Sequence, residues 1–438
     1  MPKKNQNSRV KDINLSPQGI RNIAWAEEQM GALLEVRKRF EKEKPLKGTK
    51  LGAALHVTKE TAVLMKTLKA GGAEVALTSA NPLSCQDDVA AALVKEGISV
   101  FAWRGESKID YYNNLKSVVN FLKSKRKTQN AKLQLKTKNL ITIDDGCDLV
   151  SLIHKEYLEL IPGVIGGAEE TTTGVIRLRA MEKDGALKYP MIAVNDSKTK
   201  HLMDNYIGTG QSTIDGILRA TNIVMSGKTF AVFGFGECGK GVARHADGMG
   251  ANVIVCEVDP FRALQAVMEG YRVMPKKEAL KIADVAVTVT GDKHVLSAED
   301  LLDAKNGVIV ANSGHFDVEI DVAGLKKISK KIERVRPFMD CHSLKNNKSV
   351  YLLGEGRIIN LVAAEGHPST IMSMSFSNQA LAAEYLVKNK GKLKPKVYVL
   401  PEKIDDHIAA LQLKAMGVKI DRLTKPQQKY LKSWTEGT

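Results

Sequence analysis

The chain is predicted to be an α/β protein with two doubly wound domains on parallel sheets, and two observations carry that prediction. Short apolar runs alternate with helical periodicity through the first half: Leu51 to His56, Glu74 to Thr78, Ser99 to Trp103, Leu140 to Ile143 and Pro190 to Val194. The stretch Thr229 to Asp259 then reads as strand, glycine turn, helix and strand. Gly234, Gly236 and Gly239 fall there in the order G-x-G-x-x-G, and Glu257 closes the second apolar run.

That unit is a Rossmann-like dinucleotide fingerprint, and each position has a physical task. The first glycine permits the tight turn, the second lets backbone approach a pyrophosphate, and the third lets helix and strand pack closely. The pyrophosphate then lies at a helix N-terminus, where free N–H groups and the helix dipole favour negative charge. Glu257 accepts from ribose hydroxyls and repels a 2′-phosphate, so the expected cofactor is NAD.

With 438 residues, 43% hydrophobic and 26% charged, the composition is that of a globular protein with ample core. No apolar run approaches membrane-spanning length, and the N-terminus lacks the apolar segment of a secretory leader, so a cytoplasmic location is expected. The five cysteines, Cys85, Cys147, Cys238, Cys256 and Cys341, show no C-x-x-C pair, so neither a metal site nor a disulfide framework is expected. Net charge is +16, but the lysines are dispersed and aromatic residues make up 5%. That pattern argues for a solvated surface and against nucleic acid as a partner.

In chain order, Ser16 with Pro17 reads as the capped start of one amphipathic helix to Phe40. Thr58 to Ala70 is a helix stopped at Gly71, and the segment from Asn113 to Lys138 is a helix with a basic, solvated end. Leu140 to Ile143 ends at Asp144 and Asp145. GVIGGAEETTTGVIRLRAM is read as a polar cluster between glycine turns rather than a regular face. Gly208 to Met225 is a connecting helix, FRALQAVMEG another, and ADVAVTVTG and Val308 to Ala311 are further buried strands, the latter placing His315 just past a strand end. Two glycine turns around Asn360 and His367 precede a final helical region. Taken singly, His56 reads as a capping or core histidine and Lys200 as a surface lysine.

LHVTKETAVL, DDGCDL, EETTTGV, NDSKTK followed by DN, GFGECGKG, and SGHFDVEID followed by GHPS occur in one order. On these motifs the chain resembles S-adenosyl-L-homocysteine hydrolase from about Leu15 onward. The resemblance implies a substrate domain at residues 1–195, completed by 369–415, and an NAD-binding domain at 205–365. A short C-terminal segment at 416–438 lacks the longer tail that reaches a neighbouring subunit's NAD. It also implies a homotetramer, with hinges near Asn195 to Gln211 and Gly354 to His367.

The implied activity is reversible hydrolysis of S-adenosylhomocysteine to adenosine and homocysteine, with tightly held NAD oxidising and later restoring the ribose 3′ position. Lys200 and Asp204 correspond to the pair at the 3′-hydroxyl, with the lysine pKa lowered by burial. Asp145 corresponds to the carboxylate near C4′ and C5′, His56 to an acid/base partner, and His315 to a histidine on the homocysteine side. Glu170 corresponds to the acid on the ribose hydroxyls, and Thr58, Glu60 and His367 to the adenine set. The implied cofactor contacts are Thr171, Thr172, Thr173, Asn205, Gly234, Gly236, Glu237, Cys238, Gly239, Glu257, Arg262, Thr290, Gly314, His315, Asn360 and His367. Thr209 stands where many relatives have cysteine, and Cys147 where a second glycine is usual. S-inosylhomocysteine as substrate, and a non-catalytic nucleoside- or NAD-binding protein, are the alternatives.

Overall fold

The computed structural model describes residues 3–5, 8–124 and 139–435, and it contains two sheets, each wound outward from a central pair of parallel strands. The first has nine strands. β1 (Lys3–Asn5), β2 (Ser8–Val10), β3 (Thr49–Ala54), β4 (Glu74–Thr78), β5 (Ser99–Phe101), β6 (Asn139–Asp144), β7 (Val164–Glu169) and β8 (Met191–Ala193) lie in the order β1-β2-β5-β4-β3-β6-β7-β8. Val397–Tyr398 joins β8 at the far edge, and every pairing except that of β1 with β2 is parallel. The strand order reverses between β3 and β6.

The second sheet repeats the scheme with β9 (Thr229–Phe233), β10 (Asn252–Cys256), β11 (Arg272–Val273), β12 (Val285–Thr288), β13 (Val308–Asn312), β14 (Ser329–Arg336), β15 (Met339–Leu344) and β16 (Ser349–Leu353). Its order is β11-β10-β9-β12-β13-β16-β15-β14, reversing between β9 and β12. In each sheet a crevice therefore opens at the C-terminal ends of the central strands, where helices leave to opposite faces. Among the described residues no helix is long and apolar enough to cross a membrane.

Each sheet is sandwiched between two apolar clusters. The cluster on one face of the first sheet joins Leu33, Leu51, Leu64 and Ile143 to Phe376, Leu381, Leu386 and Ile408, so the chain returns after the second sheet to finish the core of the first. Arg39 grips Glu384 of helix Ser369–Lys388 with both terminal nitrogens, at 2.8 and 2.6 Å, a fork-to-carboxylate geometry that fixes the returning helix in register.

Several sequence expectations need correction. Ser16 to Phe40 is two helices, Ser16–Gln29 and Gly31–Glu43, broken at Met30. Gly31 lies so close to helix Glu402–Ala415 that a Cβ there would sit 2.4 Å from that of Ala415. Ser16 is the first helical residue and not the cap, since the helix follows directly from a short turn capped by Asp12. The stretch GVIGGAEETTTGVIRLRAM is regular structure, β7 followed by helix Thr172–Lys183. Its glycines had obscured the strand signal: Gly167 packs against Thr142 and Met191, where a Cβ would collide with both. The antiparallel ribbon β14–β15 has no counterpart in the sequence reading, because β14 is exposed along almost its whole length and carries no apolar alternation. The basic stretch runs as helix to Lys123, and residues 125–138 lie outside the described residues.

Helices Ser16–Gln29 and Asp87–Lys95 cross at Gly19, where a Cβ would lie 2.0 Å from the carbonyl oxygen of Asp88. Gly19→Ala is expected to cost about 2–3 kcal/mol by forcing the pair apart. The check is a lowered thermal midpoint relative to Gly248→Ala, whose added Cβ meets nothing within 4 Å.

Candidate active site

The C-terminal ends of both sets of central strands open into one cavity of about 840 Å³. The ends of β3 and β6 deliver His56 and Asp145, and that of β7 delivers Glu170 and Thr171 to Thr173. The turn after β8 delivers Lys200, Asp204 and Asn205. From the other sheet come the turn Gly234 to Cys238, then Glu257 after β10, Thr290 after β12, and Gly314 and His315 after β13. Thr58, Glu60, Arg262, Asn360 and His367 complete the wall. Of the residues singled out from sequence, Gly239 alone does not line the cavity. A Cβ there would lie 2.0 Å from the Gly234 carbonyl oxygen, so its absence lets helix Glu237–Gly248 close onto the turn.

On one side Asp145 lies between two imidazoles, with Oδ2 3.4 Å from His56 Nε2 and Oδ1 3.6 Å from His315 Nδ1. The Ser84 hydroxyl donates to the Asn81 carbonyl at 3.0 Å and is 2.7 Å from His56 Nδ1. Both ring nitrogens are thus engaged, Nδ1 beside a hydroxyl and Nε2 beside the Asp145 carboxylate. Burial pushes the His56 pKa down to about 4, against the opposing pull of Asp145, so the ring is neutral near pH 7.

On the other side the buried Lys200 ammonium donates to Asn205 Oδ1 at 2.6 Å and stands 3.7 Å from Asp204 Oδ2 and 4.0 Å from Glu170 Oε1. Burial works against its charge, but Asp204 and Glu170 outweigh that and hold the lysine above its ordinary value, contrary to the lowering expected from burial alone. Burial would likewise raise Asp204, yet Lys200, His367 and Ser375 keep it well below the usual carboxylate range. Glu170 is pushed up to about 8 by burial, moderated by Lys200. Its Oε2 accepts from Gln379, while Oε1 is buried with no hydrogen-bond partner.

Thr58 caps helix Lys59–Ala70 by accepting from the Thr61 N–H, and Glu60 accepts from Ser369 Oγ at 2.6 Å with Lys59 Nζ 3.2 Å away. Thr172 Oγ1 and Asn205 Nδ2 both donate to Asn195 Oδ1, tying the loop after β7 to the turn after β8. Several supporting residues escaped the sequence reading. Glu169 accepts backbone N–H groups from Gly146, Cys147 and Thr171, pinning the Asp145 and Glu170 loops to each other. Glu319 does the same for Thr290 and Gly291, and Asn312 shapes the Gly314 turn. Glu319 stood inside the SGHFDVEID run, the only signal it had.

The walls on the second-sheet side suit a dinucleotide. Gly234 has φ 108°, a left-handed conformation that favours glycine, and Gly236 caps helix Glu237–Gly248 without a side chain over its N–H groups. The nearest atom to a Cβ built on Gly236 is Arg262 Nη1 at 3.6 Å, so the approach is open. Glu257, held by the N–H groups of Phe235, Val258 and Asp259, presents a fixed carboxylate on the cavity wall. These residues fit NAD.

Fold and site together define an enzyme that carries a nicotinamide dinucleotide beside a pocket of acid–base groups. Residues 7–161 match the family model for S-adenosyl-L-homocysteine hydrolase, and residues 205–366 match that for S-adenosyl-L-homocysteine hydrolase, NAD binding domain. The chain is 55% identical to an adenosylhomocysteinase of Saccharolobus solfataricus over 98% of its length and 99% of the relative's, and equally so to one from Aquifex aeolicus. It is also 53% identical, over the same shares, to an S-inosyl-L-homocysteine hydrolase of Methanocaldococcus jannaschii. The chain belongs to the S-adenosyl-L-homocysteine hydrolase family, whose cofactor is NAD.

His56 carries a pH prediction. Its value falls from 6.5 to about 4 on folding, so the stability it contributes is complete above pH 6.5 and is lost as pH falls toward 4. The loss is on the order of 3 kcal/mol. Thermal midpoints recorded across that window are expected to drop more steeply for the parent protein than for His56→Gln.

Proposed function

We propose that the protein hydrolyses S-adenosyl-L-homocysteine reversibly to adenosine and L-homocysteine, with His56, Asp145, Lys200, Asp204 and His315 as its catalytic residues. The observation that carries this reading is one cavity holding a buried lysine–carboxylate group, a carboxylate between two histidines, and a glycine turn fitted to NAD. The turn Gly234 to Cys238 and Glu257 would hold NAD, which would supply reversible oxidation at carbon 3′ of the ribose with no net redox change, so the net reaction is hydrolysis.

The chain's own groups manage the protons. Lys200 and Asp204, buried 3.7 Å apart, hold and move the proton of the 3′-hydroxyl out of water. Glu170 offers its unpartnered Oε1 to the ribose hydroxyls. The Asp145 group takes the C4′ proton as the C5′–S bond breaks, and the homocysteine sulfur leaves with a proton relayed through the His56–Asp145 pair; water then adds at C5′, giving a proton to neutral His56 while C4′ takes one back. His315 faces the same carboxylate from the second sheet and closes the homocysteine side. The contacts of Thr58 and Glu60 with the base, and of Thr171, Thr172, Thr173, Asn205, Glu257, Arg262, Thr290, Gly314 and Asn360 with the cofactor, belong to the same proposal, whereas His367, expected from the resemblance in the base set, is bonded to Asp204.

We read residues 1–195 with 369–415 as the substrate-binding domain and 205–365 as the cofactor domain. Association into the homotetramer that the resemblance implies would cover exposed Met416, Ile420, Leu423, Leu431 and Trp434, an apolar C-terminal segment left open to solvent among the described residues. A cytoplasmic setting suits five unpaired cysteines. Because one relative acts on the inosyl compound, base preference is the second question. Glu60, acceptor-only when ionised and steadied by Ser369 and Lys59, favours an amino group at the purine 6-position, and so adenine.

Purified protein is expected to carry NAD, to release free thiol from S-adenosylhomocysteine and to act more slowly on S-inosylhomocysteine. The reverse preference would reassign the substrate. Lys200→Ala should lower kcat by about 10²–10⁴-fold with NAD content retained; unchanged turnover would remove Lys200 from the site.

A further inference from the structure

We propose that His367 is a positioning residue for proton transfer: it holds the Asp204 carboxylate back from Lys200 and so keeps that lysine able to exchange its proton. This rests on the reading of Lys200 and Asp204 as the pair at the substrate 3′-hydroxyl.

His367 Nδ1 is 2.6 Å from Asp204 Oδ1, and an ionised carboxylate only accepts, so Nδ1 carries the proton. Nε2 is 3.2 Å from Asn360 Nδ2, a donor, and 3.4 Å from Thr209 Oγ1. Both ring nitrogens are thus engaged, with Nδ1 donating to Asp204. The second oxygen of Asp204 accepts from Ser375 Oγ at 2.5 Å. With each oxygen already taken by a donor from the return segment, the carboxylate remains 3.7 Å from Lys200 Nζ, longer than a direct ammonium–carboxylate hydrogen bond. Lys200 turns instead to the Asn205 amide oxygen at 2.6 Å.

In a buried site a direct ion pair would stabilise the ammonium strongly and work against its giving up a proton. His367 lies on the return segment between helices Ile359–Val362 and Ser369–Lys388, and Ser375 lies on the second of these. The restraint on Asp204 is thus supplied by the part of the chain that runs back from the second sheet to the first. A Cβ on Gly208 would fall 2.8 Å from His367 Nδ1, so the turn carrying Asp204 is shaped to admit this ring. The charged and titratable groups around Lys200 are Asp204 on its own turn, Glu170 after β7, Asp145 after β6 and Cys238 on helix Glu237–Gly248. His367 and Ser375 face Asp204 from the return segment.

The test uses the NAD-loaded full chain with His367→Phe, His367→Asn, Ser375→Ala, Asp204→Asn and the His367→Phe/Asp204→Asn double variant. It reads kcat and KM for S-adenosylhomocysteine against pH, calorimetric affinity for adenosine, and thermal midpoint. His367→Phe is expected to lower kcat about 100-fold with KM and adenosine affinity within about threefold, and to move the ascending limb of the kcat profile to higher pH, as freed Asp204 closes on Lys200. His367→Asn, which restores an N–H near Oδ1, should recover most of the loss. The double variant should be no slower than Asp204→Asn alone. Should His367→Phe fail to fold, Ser375→Ala, which frees the other oxygen, must show the same alkaline displacement. The proposal is overturned if the limb stays in place in both variants, or if His367→Phe weakens adenosine binding and raises KM at constant kcat, the signature of a base-recognition residue. Unchanged turnover in Asp204→Asn would instead refute the reading of the pair itself.

Discussion

Parallel strands all present their C-terminal ends to the same side, and this constraint governs the molecule. In each sheet the helices leave the two central strands toward opposite faces, so a crevice forms at β3/β6 and another at β9/β12. The chain sets the two crevices mouth to mouth. His56, Asp145, Glu170, Lys200, Glu257, Thr290 and His315 are distant in sequence, yet each follows a strand on that side and all line one cavity. Backbone N–H groups freed at the strand ends need acceptors, and buried Glu169 and Glu319 supply them. The carboxylates that shape the loops are thus distinct from those that face the cavity.

Within the cavity the two groups of titratable residues stand in opposite electrostatic states. Around Asp145 burial dominates and His56 is neutral. Around Lys200 the neighbouring carboxylates dominate, and charge is retained on lysine and Asp204 despite burial. One pocket thereby holds a neutral imidazole in one part and a retained lysine–carboxylate charge pair in another. Glu170 Oε1 and Asn360 Oδ1, on residues that line the cavity, are buried without a hydrogen-bond partner.

The class of fold was legible in the sequence because apolar runs of strand length alternate with helical periodicity, and the glycine turn with Glu257 marked one crevice unambiguously. The other crevice was not legible from pattern: nothing about His56 or Lys200 alone separates a cavity residue from a cap or a surface lysine, and it was the order of motifs that set the two together. The strand β7 was hidden by its glycines, which are there because Thr142, Met191 and Leu386 press on the backbone. Met30 conceals a helix break, since a buried methionine gives no local stop signal. Glu169, Glu319, Ser375 and Gln379 act on backbone or on other side chains, and such partnerships exist only in three dimensions.

The return of helix Ser369–Lys388 to the first sheet has a consequence for the order in which the protein is made. When β8 emerges from the ribosome, the face bearing Leu33 and Leu64 still lacks Phe376, Leu381 and Leu386, and the Leu33 N–H lacks its Ser373 acceptor. The entire second sheet is synthesised before that cover arrives. The second unit, contiguous in sequence, can complete its core while the N-terminal unit waits with an apolar face uncovered, an interval in which premature association is the hazard. The half of the protein that begins synthesis thus depends on some of the last-made residues to close its core.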